Sequence, residues 1–398
     1  MRPKIDILLV IEGEIATTHL IEHMLCACRP HGIVYRKRLL SELLITDIQK
    51  FTIPFFVRCG DPSLRFWIDR LQQAGHPYIY YLDDNFWKIE GDTPLARYYQ
   101  HPSIRHSLET ALTHAHKVLT NSDLLADFLR GFNEKVDVLP SFFDFSLLEH
   151  PTYESLDEIR IGFAGSPSRM ADLEIIKPVI QSVLETHQKT VFEFIGVMPE
   201  NLEVTARIRF FPHTADYESF IRFKEKRQWS IGLAPLIDSY SNRCKTNNKY
   251  REYSACRIPG VYSDLPPYQR AINEGETGLL VSNSPADWSS AIDKLVLNAP
   301  LREKIASQAY DDAFEKHCVQ RVSIVWAEQF IHVHRYMNRT RRNALKNNNF
   351  RRFLTTRFLQ LESLWVRGSN IYSQGGVRLL ASKVLNRIKL IFTRKISS

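Results

Sequence analysis

At 398 residues the chain is too long for one ordinary core, and a prior of roughly 100–200 residues per domain gives it two domains with additions. Its 44% hydrophobic, 24% charged and 11% aromatic residues supply material for sizeable cores, which excludes a disordered, collagen-like or disulfide-scaffold protein. The net charge of +8 is unevenly placed, because residues 339–398 hold 14 Lys and Arg against one acid, Glu362, while the other 338 residues hold 38 basic and 43 acidic side chains.

The start, Met1-Arg2-Pro3-Lys4 followed by the short apolar run 5–11, has no long apolar region and no small-residue cleavage site, so secretion is not expected. No run approaches the ~20 apolar residues of a spanning helix. Short apolar or aromatic runs then recur at 32–36, 53–59, 78–82, 117–120 and 136–139, with helical stretches at 17–28, 63–74, 103–115 and 122–132. Continuous apolar strands alternating with helices predict right-handed crossovers and a parallel, doubly wound sheet. The pattern restarts at 159–164, 191–197, 229–236, 258–263 and 277–282, with helices expected at 171–186, 216–226, 247–256 and 285–297. The expected architecture is therefore α/β, two Rossmann-like domains at 1–140 and 159–338, with a linker at 141–158 where Pro140 and Pro151 interrupt the pattern.

Helical stretches at 301–316 and 319–336 close the second domain, and a basic amphipathic tail, 339–398, opens through a polar break at 338–342 and 347–349. In the tail Phe350, Phe353, Leu354, Phe358, Leu361 and Trp365 recur at helical spacing, as do Val377, Leu380, Val384, Ile388 and Ile391. Aromatic stripes beside basic charge fit an anionic membrane surface, with packing on the protein's own body or on a partner subunit as the alternative. The acidic body speaks against a nucleic-acid partner. The cysteines, Cys26, Cys28, Cys59, Cys244, Cys256 and Cys318, form no CxxC pair, which favours a reduced, cytoplasmic setting without structural zinc.

Ligands of open parallel sheets bind beyond the carboxyl ends of the strands, and three such places carry chemistry. The first is Gly162-Phe163-Ala164-Gly165-Ser166-Pro167-Ser168, a strand running into a glycine- and serine-containing turn that suits a phosphate or is an ordinary turn. The second holds Lys245, Lys249 and Glu252 at i, i+4 and i+7, suited to a diphosphate and ribose hydroxyls, or else a solvated face with a Lys249–Glu252 ion pair. The third is Leu82-Asp83-Asp84-Asn85-Phe86-Trp87, whose carboxylates suit an acceptor hydroxyl, a metal or a base, or else an Asp or Asn here caps the next turn.

Together these places, with Ile231-Gly232-Leu233-Ala234-Pro235-Leu236, Asn242-Arg243-Cys244-Lys245, Lys249-Tyr250-Arg251-Glu252-Tyr253, Ile258-Pro259-Gly260-Val261 and Glu274-Gly275-Glu276-Thr277-Gly278-Leu279-Leu280-Val281, resemble GT-B glycosyltransferases, close to glycosyltransferase family 4. The resemblance covers residues 160–325 well, 5–140 fairly and the tail not at all. It implies transfer of a sugar, a hexose, from a nucleotide-sugar donor to a glycan or glycolipid acceptor in bacterial surface-polysaccharide synthesis. In that reading Lys245 lies near the diphosphate, Glu252 on the ribose, and Gly165, Ser166, Asn242, Arg243, Lys249 and Tyr253 complete the donor site. Asp83 and Asp84 serve the acceptor or the reaction, and neither a cofactor nor a metal is required. The family's first glutamate corresponds to Cys244, a poor hydrogen-bond acceptor. A catalytically silent module that binds a sugar nucleotide or glycan is the alternative.

Overall fold

The computed structural model describes residues 4–89, 91–151, 157–214, 216–340, 345, 358–359, 361–371, 376 and 382. Tail positions Phe350, Phe353, Leu354, Val377, Leu380, Val384, Ile388 and Ile391 lie outside them. The chain forms two compact units, one of residues 1–139 and 326–398, the other of residues 140–325.

In the first unit β1 (Ile5–Ile11), β2 (Ile33–Leu39), β3 (Ile53–Val57), β4 (Ile79–Tyr81), β5 (Lys117–Thr120) and β6 (Val136–Val138) form one sheet in the order β2-β1-β3-β4-β5-β6. All its pairings are parallel. The connecting helices are α1 (Ala16–Ala27), α2 (Leu64–Ala74), α3 (Pro94–Gln100), α4 (Pro102–His114) and α5 (Asp123–Leu129). Ile7, Leu9, Phe55, Phe56 and Ile79 are fully buried, as a parallel sheet covered on both faces requires.

The second unit repeats the plan with β7 (Ile159–Ala164), β8 (Thr190–Ile195), β9 (Ile208–Phe211), β10 (Ile231–Ala234), β11 (Gly260–Ser263) and β12 (Leu279–Val281) in the parallel order β12-β11-β10-β7-β8-β9. Its helices are α6 (Met170–Leu173), α7 (Lys177–Thr186), α8 (Tyr217–Lys226), α9 (Tyr240–Arg243), α10 (Asn248–Ala255), α11 (Pro266–Gln269), α12 (Pro285–Leu297) and α13 (Ala299–His317). Phe163, Phe192, Ile231, Val183 and Trp288 share one core, while Trp229, Tyr250, Tyr253 and Tyr262 share another. A side chain at Gly162 would strike the Trp229 indole, with Cδ2 only 1.8 Å from an added Cβ, so the strand needs glycine there.

Three expectations change. Edge strand β9 has no counterpart in the sequence reading, and the helix expected over 171–186 breaks into α6 and α7. The linker expected at 141–158 belongs in its first part to the second unit, where the Phe143 N–H donates to the His317 carbonyl at 2.8 Å and Arg251 donates to the Phe142 carbonyl. The closing helix α14 (Val319–Arg339) starts in the second unit and joins the first from Trp326 onward. Side-chain contacts explain that division: Trp326 lies 5.7 Å from the Tyr81 ring, Phe330 lies 5.5 Å from Phe55, and Lys117 donates to Gln329 at 2.8 Å. Among the described residues, no helix is long and apolar enough to cross a membrane.

Candidate functional site

Strand order reverses between β7 and β10 in the second unit and between β1 and β3 in the first, and the loops beyond such reversals are where doubly wound sheets bind ligands. Both reversals carry clusters of charged side chains.

In the second unit β7 ends at Ala164, whose carbonyl accepts a hydrogen bond from the Lys249 ammonium. That ammonium also lies 4.3 Å from the Phe163 ring centroid, and burial pushes its pKa down to about 7. The next turn supplies Arg169, whose Nη1 donates to Asp172 at 2.9 Å and reaches Asn242 at 3.5 Å. Its Nε and Nη2 have no partner among the described residues, and its side chain is 25% exposed. Asp172 in turn accepts from the Ile237 N–H at 2.8 Å, tying the β7 turn to the loop after β10. Sequence reasoning passed over Arg169, because nothing marks an arginine in a polar turn until Asp172 and Asn242 are seen beside it.

The predicted residues divide sharply. Asn242 faces this cluster, with its Nδ2 donating to the Ile237 carbonyl at 2.9 Å. Lys245 lies in the turn between α9 and α10, partly buried. The Gly165 amide donates to the Ile195 carbonyl at 3.0 Å, so this N–H is not available to an anion. Ser166 is exposed, its hydroxyl 2.8 Å from that of Ser168. Arg243 forms an exposed ion pair with Asp238, at 2.5 Å. Tyr253 is a core residue whose hydroxyl donates to the Leu233 carbonyl at 2.7 Å, which corrects its placement at the donor. Cys244 is likewise buried, 1% exposed.

Glu252 is the largest surprise. It is 5% exposed, and one oxygen accepts from Tyr217 at 3.2 Å and Asn248 at 2.8 Å while the other is held by the fully buried Lys224. Burial raises its pKa, but the charges of Lys224 and Lys249 outweigh that and hold it below the usual carboxylate range. The ion pair weighed for Lys249 and Glu252 is replaced by separate partners, Ala164 and Lys224. Beside the cluster, Gly196 adopts φ +81° and His213 packs over it, 2.7 Å from where a Cβ would stand, so a side chain at 196 would displace the imidazole.

In the first unit Arg58 follows β3 with φ 54°, a conformation that non-glycine residues adopt at a cost of ~1–3 kcal/mol. Its Nη1 meets Asp83 at 3.0 Å, Asp84 at 3.4 Å and the Thr17 hydroxyl at 3.0 Å, and its guanidinium lies 4.7 Å from the Phe86 centroid. Burial raises the Asp83 pKa; Arg58 opposes that and Asp84 adds to it. Arg58 Nε and Asn85 Nδ2 are buried without a hydrogen-bond partner among the described residues. The capping of the next turn by Asp or Asn is carried by Asn85, which accepts from the Trp87 N–H at 3.2 Å. Beyond β1, Glu12 accepts from the amides of Gly60 at 2.6 Å and Asp61 at 2.5 Å, and burial, then the Asp61 charge, raises its pKa. Glu12 and Asp61 also went unnoticed in the sequence, since each follows an apolar strand without a motif.

Among the described residues, Glu14, His19 and Glu22 place ligand atoms within 4.8 Å of one another. The Lys37 ammonium already bridges the two carboxylates, at 2.6 and 2.8 Å.

No family model matches the chain. D-inositol 3-phosphate glycosyltransferase of Stackebrandtia nassauensis is 38% identical over 63 residues, which is 16% of this chain and 14% of that protein. HepE of Anabaena, solved with UDP, superposes with a TM-score of 0.61 at 14% identity, over 82% of this chain and 100% of that one. HepE is also solved with UDP-glucose. Sucrose-phosphate synthase of Thermosynechococcus elongatus gives 0.61 at 9% identity, over 83% of this chain and 99% of that one. The fold is GT-B.

Proposed function

We propose that the chain is a glycosyltransferase that moves a sugar, a hexose, from a nucleotide diphosphate donor to a glycan or glycolipid acceptor in cell-surface polysaccharide synthesis. It works in the cytoplasm, peripherally at the inner face of the membrane. The observation that supports this reading is the placement of both Lys249 and Arg169 at the strand-order reversal of the second unit, within the fold shared with HepE, which is solved with UDP.

In this reading the acceptor hydroxyl oxygen bonds to the sugar's anomeric carbon as the bond from that carbon to the diphosphate oxygen breaks; the diphosphate leaves with the electron pair and takes up the hydroxyl proton. Lys249, Arg169 and Lys245 stabilise the charge that develops on it, electrostatics that needs no metal ion. Glu252 acts through Lys224 and Asn248, holding α10 so that Lys249 stays at the end of β7. Asp84, 40% exposed beside Arg58, orients the acceptor hydroxyl, and Asp83 fixes Arg58 beneath it. Buried Cys244 favours a second reading, a module that binds the sugar nucleotide without turning it over.

A panel of nucleotide sugars, each assayed for nucleoside diphosphate release with and without chelator, tests the proposal. Release that persists with chelator supports it. Saturable binding without release from any donor favours the silent module, and neither binding nor release overturns both.

A further inference from the structure

Residues 358–359 and 361–371 of the tail are helical and lie in the first unit. One face turns inward. Leu359 and Val366 are buried, Glu362 pairs with Arg65 at 2.5 Å, and both the Ser363 hydroxyl and the Arg367 guanidinium donate to buried Asp61 at 2.6 Å. These positions repeat at three- and four-residue spacing, as one helix face must.

The other face is apolar and largely exposed, with Trp365 edge-on to the His101 ring at 5.3 Å. Phe358, Leu361, Leu364 and Trp365 are 69%, 63%, 59% and 65% exposed. Scattered exposed hydrophobics are ordinary, but four large ones on one stripe mark a surface that something covers. The surrounding sequence says what. Residues 339–398 carry 14 basic side chains and a single acid, and that acid, Glu362, is turned inward and neutralised by Arg65. An apolar stripe with aromatic anchors, in a stretch of sequence rich in cations and with no other acid, complements an anionic lipid surface.

We propose that this helix is a membrane-docking strap, pinned to the first unit by its polar face, which lays Phe358, Leu361, Leu364 and Trp365 into an anionic bilayer. The pin matters as much as the stripe. Arg367 and Ser363 grip Asp61 in the loop after β3, at the strand-order reversal of the first unit, so docking holds that loop at the lipid surface. This last consequence, delivery of a lipid-linked acceptor to the first unit, rests on the transfer reaction proposed above.

Point variants test the strap better than truncation, because removing the tail would leave buried Asp61 without Arg367. Full-length protein and a Leu361→Ser/Trp365→Ser variant are co-sedimented with vesicles of anionic and of zwitterionic lipid at low and high salt. Both replaced side chains are more than half exposed, with Trp365 also touching the His101 ring, and matching thermal melts verify that the variant folds. The intact chain is expected to bind anionic vesicles preferentially, with binding weakened by salt, and the variant to lose roughly tenfold or more in partitioning. Absence of binding at low salt overturns the proposal, as does equal binding by the variant. A concentration-dependent oligomer that the variant abolishes assigns the stripe to a second copy, and binding of an RNA homopolymer in preference to vesicles assigns the tail to nucleic acid; either overturns it. Nucleoside diphosphate release is measured in parallel without lipid, so a failed docking surface and a failed transferase reading are separable.

Discussion

In the second unit, the reversal between β7 and β10 gathers Lys224, Lys249 and Arg169 around Asp172 and Glu252. In the first, the ends of β1, β3 and β4 gather Glu12, Asp61, Asp83 and Asp84 around Arg58 and Arg367. The sheets share one grammar, so the fold does not set this difference; the side chains placed just past the strand ends do. An excess of cations in a poorly solvated loop region suits a diphosphate. An excess of carboxylates repels one and suits neutral hydroxyls. The contrast therefore separates the proposed donor and acceptor roles on electrostatic grounds, independently of any likeness to other proteins.

The sharpest way to break the comparison is to unpair its most buried ion. Lys224→Met leaves Glu252 charged and buried, and removing one partner of such a pair costs roughly 3–5 kcal/mol. Urea denaturation should show that loss, and Lys224→Met/Glu252→Leu should recover much of it. Glu252→Gln is likewise expected to lower stability, because its carboxylate is bound by Lys224, Tyr217 and Asn248. A Lys224→Met protein as stable as the parent shows that α10 is held by other means.

Donor binding sharpens the cationic side. Lys249→Ala and Arg169→Ala should each weaken binding by ~1.5–3 kcal/mol, or roughly 10- to 150-fold by calorimetry. Lys249 also gives the site a pH dependence. With its pKa pushed down to about 7, donor affinity should fall as pH rises through neutrality, and Lys249→Arg should flatten the profile. The sign for stability is opposite. The unfolded chain keeps this proton up to the ordinary lysine range near ~10.4, so above about 7 it binds more protons than the folded protein and this group's contribution to stability increases with pH. Parallel slopes for affinity and stability would remove Lys249 from the donor site.

On the anionic side, Asp84→Asn should reduce transfer to acceptor by about tenfold, the worth of one charge-assisted hydrogen bond, while leaving donor affinity unchanged. Asp83→Asn should in addition lower the melting temperature, since Asp83 holds Arg58 in its left-handed conformation. Equal effects on donor and acceptor would erase the division of labour.

What the sequence revealed follows the same physical line. Strands buried on both faces, such as Ile5–Ile11 and Ile159–Ala164, announce themselves as apolar runs, and the doubly wound plan follows from their alternation with helices. Edge strand β9, Ile208-Arg209-Phe210-Phe211, is half solvated and does not. In the site, the Lys249 and Glu252 spacing was visible but its meaning was not. The partner of Glu252 is Lys224, 28 residues earlier on another helix, and only packing brings them together. Tyr253 illustrates the reverse error, a motif residue whose ring belongs to the core. The tail divides likewise: its stripe was legible, whereas the polar face that grips Asp61 depends on a loop some 300 residues away.

The smallest effect is expected at Arg243. Its position in the family-like run Asn242-Arg243-Cys244-Lys245 argues for a donor contact, but its guanidinium is turned to Asp238, and both side chains are about half exposed. The hydrogen bond from Arg243, then its charge, holds the Asp238 carboxyl below its usual range. Exposed pairs of this kind contribute little, so Arg243→Ala should leave the melting temperature unmoved and change the donor dissociation constant by no more than about twofold. A loss approaching that of Lys249→Ala would mean that Arg243 releases Asp238 to meet the donor, enlarging the cationic side of the comparison. Asp238→Ala then decides the matter: freeing Arg243 from its partner should tighten donor binding if the two compete for it, and leave binding unchanged if Arg243 is only a surface residue.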